Sequence, residues 1–229
     1  MSAGRLLVVD DEPQILRVLK PSLAAAGYEI ESAATAGEAL SSVAQRAFDA
    51  IILDLGLPDM DGKDVISRVR GWSNAPIVVL SARHAEQEKI EALDRGANDF
   101  VNKPFSIGEL MARLRAVLRA RDIPDKQSDK FAVAHLEVDF TTRRMRVKGQ
   151  DVRPSPRELR LLRAFAEHLG QVLTHKQIVA AVWGAEEEID PQFVRVLIGN
   201  LRQKVELDPA RPQLIVTEPG VGYRMQSGD

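Results

Sequence analysis

Five polar side chains in the first half of the chain stand just behind short apolar runs. Asp10 and Asp11 follow Leu6–Val9, Asp54 follows Ile51–Leu53, Ser81 follows Ile77–Leu80, and Lys103 comes shortly after Asp99–Val101. Three carboxylates held close together repel one another unless a cation neutralises them. An all-oxygen ligand set favours Mg²⁺, with Mn²⁺ possible, and Mg²⁺ commonly keeps waters and recruits a phosphate. Beside such a cation a carboxylate can attack a phosphoryl group, because the charge in transfer is neutralised. A hydroxyl (Ser81) and an ammonium (Lys103) in the same place would bind phosphoryl oxygens, the lysine as a compact point charge. Taken singly, each residue has a duller explanation. An aspartate behind a strand is usually a helix cap or solvated loop residue, and a lone serine or lysine is usually surface. Five of them at the ends of four strands, on one edge, are hard to dismiss.

The elements that would place them there can be read from periodicity. Leu6–Val9, Ile51–Leu53 and Ile77–Leu80 are short, continuous apolar runs of the kind that form buried parallel strands, with weaker strands near Tyr28–Ala33 and Asp99–Val101. Helical patterns alternate with them at Pro13–Ala26, Ala36–Arg46, Lys63–Gly71, Ala85–Arg95 and Ser106–Arg119. In the last of these, Ile107, Leu110, Met111, Leu114, Val117 and Leu118 recur at three- and four-residue steps. Ser106 is placed to cap it, with Glu109 completing a capping box. Pro104, behind Lys103, can take a cis bond at modest cost. Five strand–helix repeats predict an α/β fold, a doubly wound five-stranded parallel sheet whose ligand site lies at the carboxyl ends of the strands.

Bulk properties set the limits. Hydrophobic residues make up 45% of the 229 and charged residues 28%, as in an ordinary globular protein. There is no cysteine, which excludes disulfides and thiolate metal sites. No apolar run reaches the roughly 18 residues of a membrane helix, and the start lacks a signal-peptide pattern, so a cytoplasmic protein with no membrane insertion is expected. Residues 1–121 carry 15 basic and 17 acidic side chains and the remainder 16 and 16, so any affinity for nucleic acid must come from local clustering.

Residues 122–130 (DIPDKQSDK) are polar and read as a linker between a domain at 1–121 and a smaller one at 131–229. The second domain has strand-like pieces over 131–152 and helical patterns at Pro156–His168, His175–Trp183 and Pro191–Glu206. It closes with Leu214–Thr217, a Pro-Gly-Val-Gly turn and Tyr223–Met225, a β-hairpin. In the third helix Val194, Leu197, Ile198, Leu201 and Val205 share one face. At about 100° per residue the opposite face centres on Gln192, Val196, Gly199 and Gln203. Arg195 and Arg202 line one flank, Asn200 and Lys204 the other, and no acidic residue occurs from Pro191 to Val205. That composition suits a helix entering a major groove: arginine for guanine or phosphate, amides for adenine, valine for a thymine methyl. A basic solvated face is the commoner explanation of such a helix alone. Arg224, beyond the Gly-rich turn, is expected to reach a minor groove. Thr174 is expected to cap the second helix, whose first amides could meet a phosphate.

The stretches VVDDE, ILDLGLPDMDG, LSA and KPF resemble the CheY-like receiver domain of two-component response regulators. The resemblance implies that Asp54 is the phosphoacceptor and that Asp10, Asp11, Asp54 and the Gly56 carbonyl hold Mg²⁺. Ser81 and Lys103 would contact the phosphoryl group, and Ser81 and Phe100 would form the switch pair. Tyrosine is common at the Phe100 position, and phenylalanine can switch by packing only. The implied donor is a cognate membrane sensor histidine kinase, with no enzymatic activity beyond autodephosphorylation. It further implies a homodimer on phosphorylation through the fourth helix, fifth strand and fifth helix. Lys89 would meet Glu109, and Asp99 would meet Arg113, across the two-fold, while Asn98 and Ala120 stand where a further acid–base pair is common.

PSPRELRLLRAFAEHLGQVLTHKQIVAAVWG, VRVLIGNLRQKVE and TEPGVGYRM resemble the winged-helix α+β output domain of the OmpR/PhoB class. That class reads operator DNA with its third helix, inserts a wing arginine in the minor groove, and often turns the loop here at 184–190 toward RNA polymerase. ILDLGLPDMDG, VVLSARHAEQEKIEALDRGAN and LRQKVELDPARPQ further resemble the potassium-responsive Kdp group, which implies a potassium-transport operon as target. Two rival readings are a Mg²⁺-dependent aspartyl-phosphate phosphatase and a protein-interaction output domain. The first usually carries a second acid two residues after the nucleophile, where this chain has Gly56. The arginines and the wing count against the second.

Overall fold

The structure, a computed structural model, describes residues 3–82, 86–122 and 129–227. The chain forms two compact units, Met1–Arg121 and Asp122–Asp229. In the first, strands β1 (Arg5–Val9), β2 (Glu29–Ala33), β3 (Ala50–Asp54), β4 (Ile77–Ala82) and β5 (Asp99–Lys103) alternate with helices. These are α1 (Pro13–Ala25), α2 (Ala36–Gln45), α3 (Gly62–Arg70), α4 (Glu86–Asp94) and α5 (Ile107–Asp122). The strands pair in parallel in the order β2-β1-β3-β4-β5. This is the expected doubly wound sheet. Its order reverses between β1 and β3, and such a switch point opens a crevice at the strands' carboxyl ends.

Strand alternation divides the apolar residues between two faces. Leu6, Val8, Ala50, Ile52, Val78, Leu80 and Val101 pack with Leu19 and Leu23 of α1 and Leu110, Leu114 and Val117 of α5. Leu7, Val9, Ile51 and Leu53 point the other way and are equally buried. Each such side chain removed from water contributes about 1.5–3 kcal/mol, so the strand ends that carry the polar residues are firmly held. Ser106 Oγ does accept from the Glu109 amide at 3.1 Å, but the Glu109 carboxylate turns to Arg113, so the expected reciprocal box is only half built. Lys103–Pro104 is cis.

The second unit opens with an antiparallel sheet of β6 (Lys130–Val133), β7 (Leu136–Asp139), β8 (Arg144–Val147) and β9 (Gln150–Val152). The linker positions 123–128 lie outside the described residues. Three helices follow, α6 (Pro156–Glu167), α7 (His175–Val182) and α8 (Pro191–Val205), and strands β11 (Ile215–Glu218) and β12 (Gly222–Met225) form the closing hairpin. A short strand, β10 (Val172–Thr174), pairs with β12, giving a three-stranded sheet in the order β10-β12-β11. A Cβ on Gly222 would lie 2.0 Å from the Leu173 carbonyl oxygen, so only glycine permits that pairing. Phe165, Leu161, Ile178, Val194, Ile198, Leu201 and Met225 form a common core under helices and wing.

Candidate functional site

The reversal of strand order brings Asp10 and Asp11, behind β1, to the end of β3 and its Asp54. One carboxylate oxygen from each lies within 4.8 Å of the others, while Asp10 and Asp54 are buried and Asp11 is exposed. Lys103, at the end of β5, crosses to them: its Nζ lies 3.0 Å from Asp54 Oδ1, 3.2 Å from Asp10 Oδ2 and 3.0 Å from Glu12 Oε1. Burial works to lower the pKa of this ammonium. The hydrogen bonds to Asp54 and Glu12, with the charges of Asp54 and Asp10, outweigh it and hold Lys103 above its ordinary value. Asp10 is shifted up, first by burial, with the Asp54 charge adding to that. Its bond from the Glu12 amide, at 2.8 Å, and Lys103 oppose the shift. Two buried carboxylates beside a third, exposed to water on one side, suit a hard oxygen-ligated cation. Ser81 is buried near the end of β4, in register with Asn102 of β5. Gly56 sits in the loop after β3, and its amide donates to Asp54 Oδ2 at 3.3 Å. Sequence reading passed over Glu12 as a partner of Lys103.

The β3–α3 loop is packed tightly. Gly62 starts α3 so near the end of β3 that a Cβ would lie 2.6 Å from Leu55 Cα. The Gly62 amide donates to the Leu55 carbonyl at 3.0 Å, and Asp61 caps α3 by accepting from Lys63.

Phe100 is buried on β5, with Lys89 Nζ 5.2 Å and the Arg113 guanidinium 5.7 Å from its ring centre. The residues expected to pair between protomers are engaged within the chain. Asp99 is fully buried and meets Arg113 at 3.2 Å, Arg113 also meets Glu109 at 3.3 Å, and Lys89 is only 3% exposed. The cause is local: α5 lays Arg113 across the start of β5. Asn98 accepts from Arg70 and from the Ile77 amide, while the side chain of Ala120 lies outside the described residues.

In the second unit α8 is two-faced, as its pattern predicts. Val194, Leu197, Ile198, Leu201 and Val205 are buried, and Asp190 caps the helix ahead of Pro191. Arg195, Val196, Gly199, Asn200 and Gln203 face solvent. Phe193, one turn before Val196, is 63% exposed. Sequence reading missed it, although its three-residue spacing from Val196 places it on the outer face. It lines a surface depression of about 480 Å³ with Val196, Asn200, Trp183, Arg157 and Arg160.

Three of the expected DNA-binding cations are bonded within the domain. Arg202 donates to the Ile215 carbonyl at 2.7 and 2.9 Å and to Thr217 Oγ1 at 2.9 Å. Lys204 lies 2.7 Å from Glu158, a buried carboxylate that also closes the capping box of α6 with Ser155. Burial would raise the Glu158 pKa, but Lys204 and the Ser155 amide outweigh it and hold the carboxyl below its usual range. Arg224 is 4% exposed, bonded to Glu218 Oε1 at 2.8 Å and to the Gly170 carbonyl at 2.6 Å. Helical spacing cannot show that a flank residue is claimed by a neighbouring strand or cap. Thr174 caps α7 by accepting from the Gln177 amide while Gln177 accepts from Thr174, and its side chain is buried.

A receiver-type acidic edge on a doubly wound sheet, followed by a winged helix, defines a two-component response regulator. Residues 6–115 match the response regulator receiver domain, and residues 149–225 match the family described as transcriptional regulatory protein, C terminal. The KDP operon transcriptional regulatory protein KdpE of Escherichia coli (strain K12) is 42% identical over 219 residues, 96% of this chain and 97% of that one. Transcriptional regulatory protein PrrA of Mycobacterium leprae is 40% identical over 99% of this chain and 98% of its own. The crystal structure of DrrB, a Thermotoga maritima OmpR/PhoB homologue, aligns over 99% of this chain and 100% of that chain with a TM-score of 0.52 and 26% identity. The chain therefore belongs to the response regulators with a DNA-binding C-terminal domain, a family of transcriptional regulators and not of enzymes. The phosphatase reading falls with that. No helix among the described residues is long and apolar enough to cross a membrane.

Proposed function

We propose that phosphorylation of Asp54 switches this regulator into a form that binds the operator of a potassium-transport operon of the Kdp type. The single observation that supports the chemistry best is the convergence of Asp10, Asp11 and Asp54 under the Lys103 ammonium. Asp10, Asp11, Asp54 and the Gly56 carbonyl would hold Mg²⁺, which supplies charge neutralisation during phosphoryl transfer. An Asp54 carboxylate oxygen forms the new bond to phosphorus as the bond to the donor histidine nitrogen breaks. Lys103 and Ser81 bind the phosphoryl oxygens, and Phe100 carries the change to its own face of the sheet by packing. Phosphorylation brings a second copy through the face of α4, β5 and α5. Arg195, Val196, Gly199, Asn200 and Gln203 face the DNA, and the loop at 184–190 faces RNA polymerase. This chemistry belongs in the cytoplasm, where a sensor histidine kinase presents its phosphodonor.

The test has three arms. Acetyl phosphate with Mg²⁺ should add one phosphoryl group by intact mass, and none to Asp54→Asn. Sedimentation should show a dimer only in the phosphorylated sample. Selection from a randomised operator library at fixed salt, because phosphate contacts make affinity salt-dependent, should return a site upstream of a potassium transporter. A site elsewhere with normal phosphorylation would leave the switch intact and sink the Kdp assignment, an outcome that the 40% identity to PrrA makes worth testing.

A further inference from the structure

Asp59 lies in the middle of the β3–α3 loop, yet its carboxylate is spent on a different element. Oδ1 accepts from the Ala36 amide at 2.8 Å and Oδ2 from the Gly37 amide at 2.9 Å, the first two amides of α2. Thr35 takes the next amide, Glu38, at 3.2 Å. A carboxylate is well placed there, because unsatisfied amides and the helix dipole both favour negative charge at a helix N-terminus. The same two bonds hold the Asp59 carboxyl below its ordinary pKa.

The tether matters because of what the loop carries. Asp10, Asp11 and Asp54 are set at or beside strand ends, whereas Gly56 is exposed in the loop. Only Leu57 and Pro58 separate it from Asp59. Proline fixes its own φ and restricts the residue before it to extended backbone, and Leu57 is buried. The span from Asp59 back to Gly56 is therefore stiff, and fixing one end fixes the other.

We propose that Asp59 is a positioning residue of the phosphoacceptor site, pinning the β3–α3 loop to α2 so that the Gly56 carbonyl is held ready for a divalent cation. The proposal rests on the reading of that site as a Mg²⁺ site. Titrate the full-length protein with Mg²⁺ and with Mn²⁺ by calorimetry, and follow acetyl phosphate uptake by intact mass across Mg²⁺ concentrations. Substituting outer-shell supports of a metal typically weakens affinity about 10–100-fold. Asp59 acts on one ligand of the set, so Asp59→Ala should raise the half-saturating Mg²⁺ about tenfold, with uptake at saturating Mg²⁺ restored to near the wild-type rate. Asp59→Asn keeps one acceptor oxygen and should fall between, and it carries the test should the alanine variant fail to fold. Variants that melt earlier but bind Mg²⁺ like the wild type would reduce Asp59 to a plain helix cap and overturn the proposal. A wild-type protein that binds neither cation would overturn the Mg²⁺ reading itself, which separates the two failures.

Discussion

Replacing Arg224 by alanine separates a side chain that holds the wing together from one that reads DNA. In the structure its side chain is 5% exposed and that of its partner Glu218 is 19% exposed. It also satisfies the Gly170 carbonyl. Removing one member of a buried pair costs about 3–5 kcal/mol, because the other charge is left behind without compensation. Glu218 keeps some contact with water, so the low end applies, about 3 kcal/mol. With a urea slope of about 1.5 kcal/mol per molar, the midpoint should fall by about 2 M. The assay is urea denaturation followed by Trp183 fluorescence in a Trp72→Phe background, since Trp72 is 61% exposed and belongs to the other unit. Arg224→Leu combined with Glu218→Leu should recover more than half of the loss, as paired apolar replacements of buried ion pairs commonly do. An Arg224→Ala protein with an unchanged midpoint and lost DNA binding would refute this, and would put the guanidinium back in the minor groove.

Lys103→Met leaves Asp10, Asp54 and Glu12 without their shared cation, so the metal-free protein should lose about 2–4 kcal/mol. Mg²⁺ should then raise its melting temperature more than it raises that of the wild type, and equal shifts by calorimetry would contradict the geometry. His175, beside Tyr223 with its Nδ1 lacking a hydrogen-bond partner, has its pKa lowered by burial and then by the Arg195 charge. A lowered folded pKa means the unfolded chain takes up the proton first. The stability contributed by neutral His175 is thus present above about pH 6.5 and lost as pH falls through the folded value. His175→Phe should flatten that part of the Trp183 urea midpoint's pH dependence, and an unaltered pH profile would count against it. Gly222→Ala places a Cβ against the Leu173 carbonyl, so the β10–β12 pairing should open at a cost of about 3 kcal/mol. Hydrogen exchange of the Leu173 and Tyr223 amides would report it, and unchanged protection would show that the strands give way cheaply.

The first unit was legible almost throughout, because buried parallel strands are continuous apolar runs and each site residue stands next to one. Asp54 directly after Ile51–Leu53 needed only the order of the strands to find Asp10. β10 was not legible: Val172–Thr174 is three residues long, too short to show a period, and it exists by pairing with β12. The outer face of α8 was read correctly where burial decides exposure, at Val196 and Gly199. It did not reveal the partners that Arg202 and Lys204 find within the domain, Ile215 and Glu158, which are 13 and 46 positions away. Helix periodicity reports which side of a cylinder a residue occupies. It carries no information about a carbonyl or carboxylate supplied by a distant segment, and the position of Arg224 behind a Gly-rich turn likewise gave no sign of its bonds to Glu218 and the Gly170 carbonyl.

The division of labour on α8 has a consequence for how such regulators diverge. The cations that hold the domain together, Arg202 and Lys204, are spoken for by Ile215 and Glu158. Arg195, Val196, Asn200 and Gln203 stand in solvent on the same helix. Changes at exposed helix positions usually move stability by less than about 0.5 kcal/mol. A duplicated gene can therefore drift at these four codons without passing through an unfolded intermediate. On the proposed reading of this face as the one that meets DNA, two copies can part company over their operators within a few substitutions while the arginine and lysine bonded within the domain stay fixed in both.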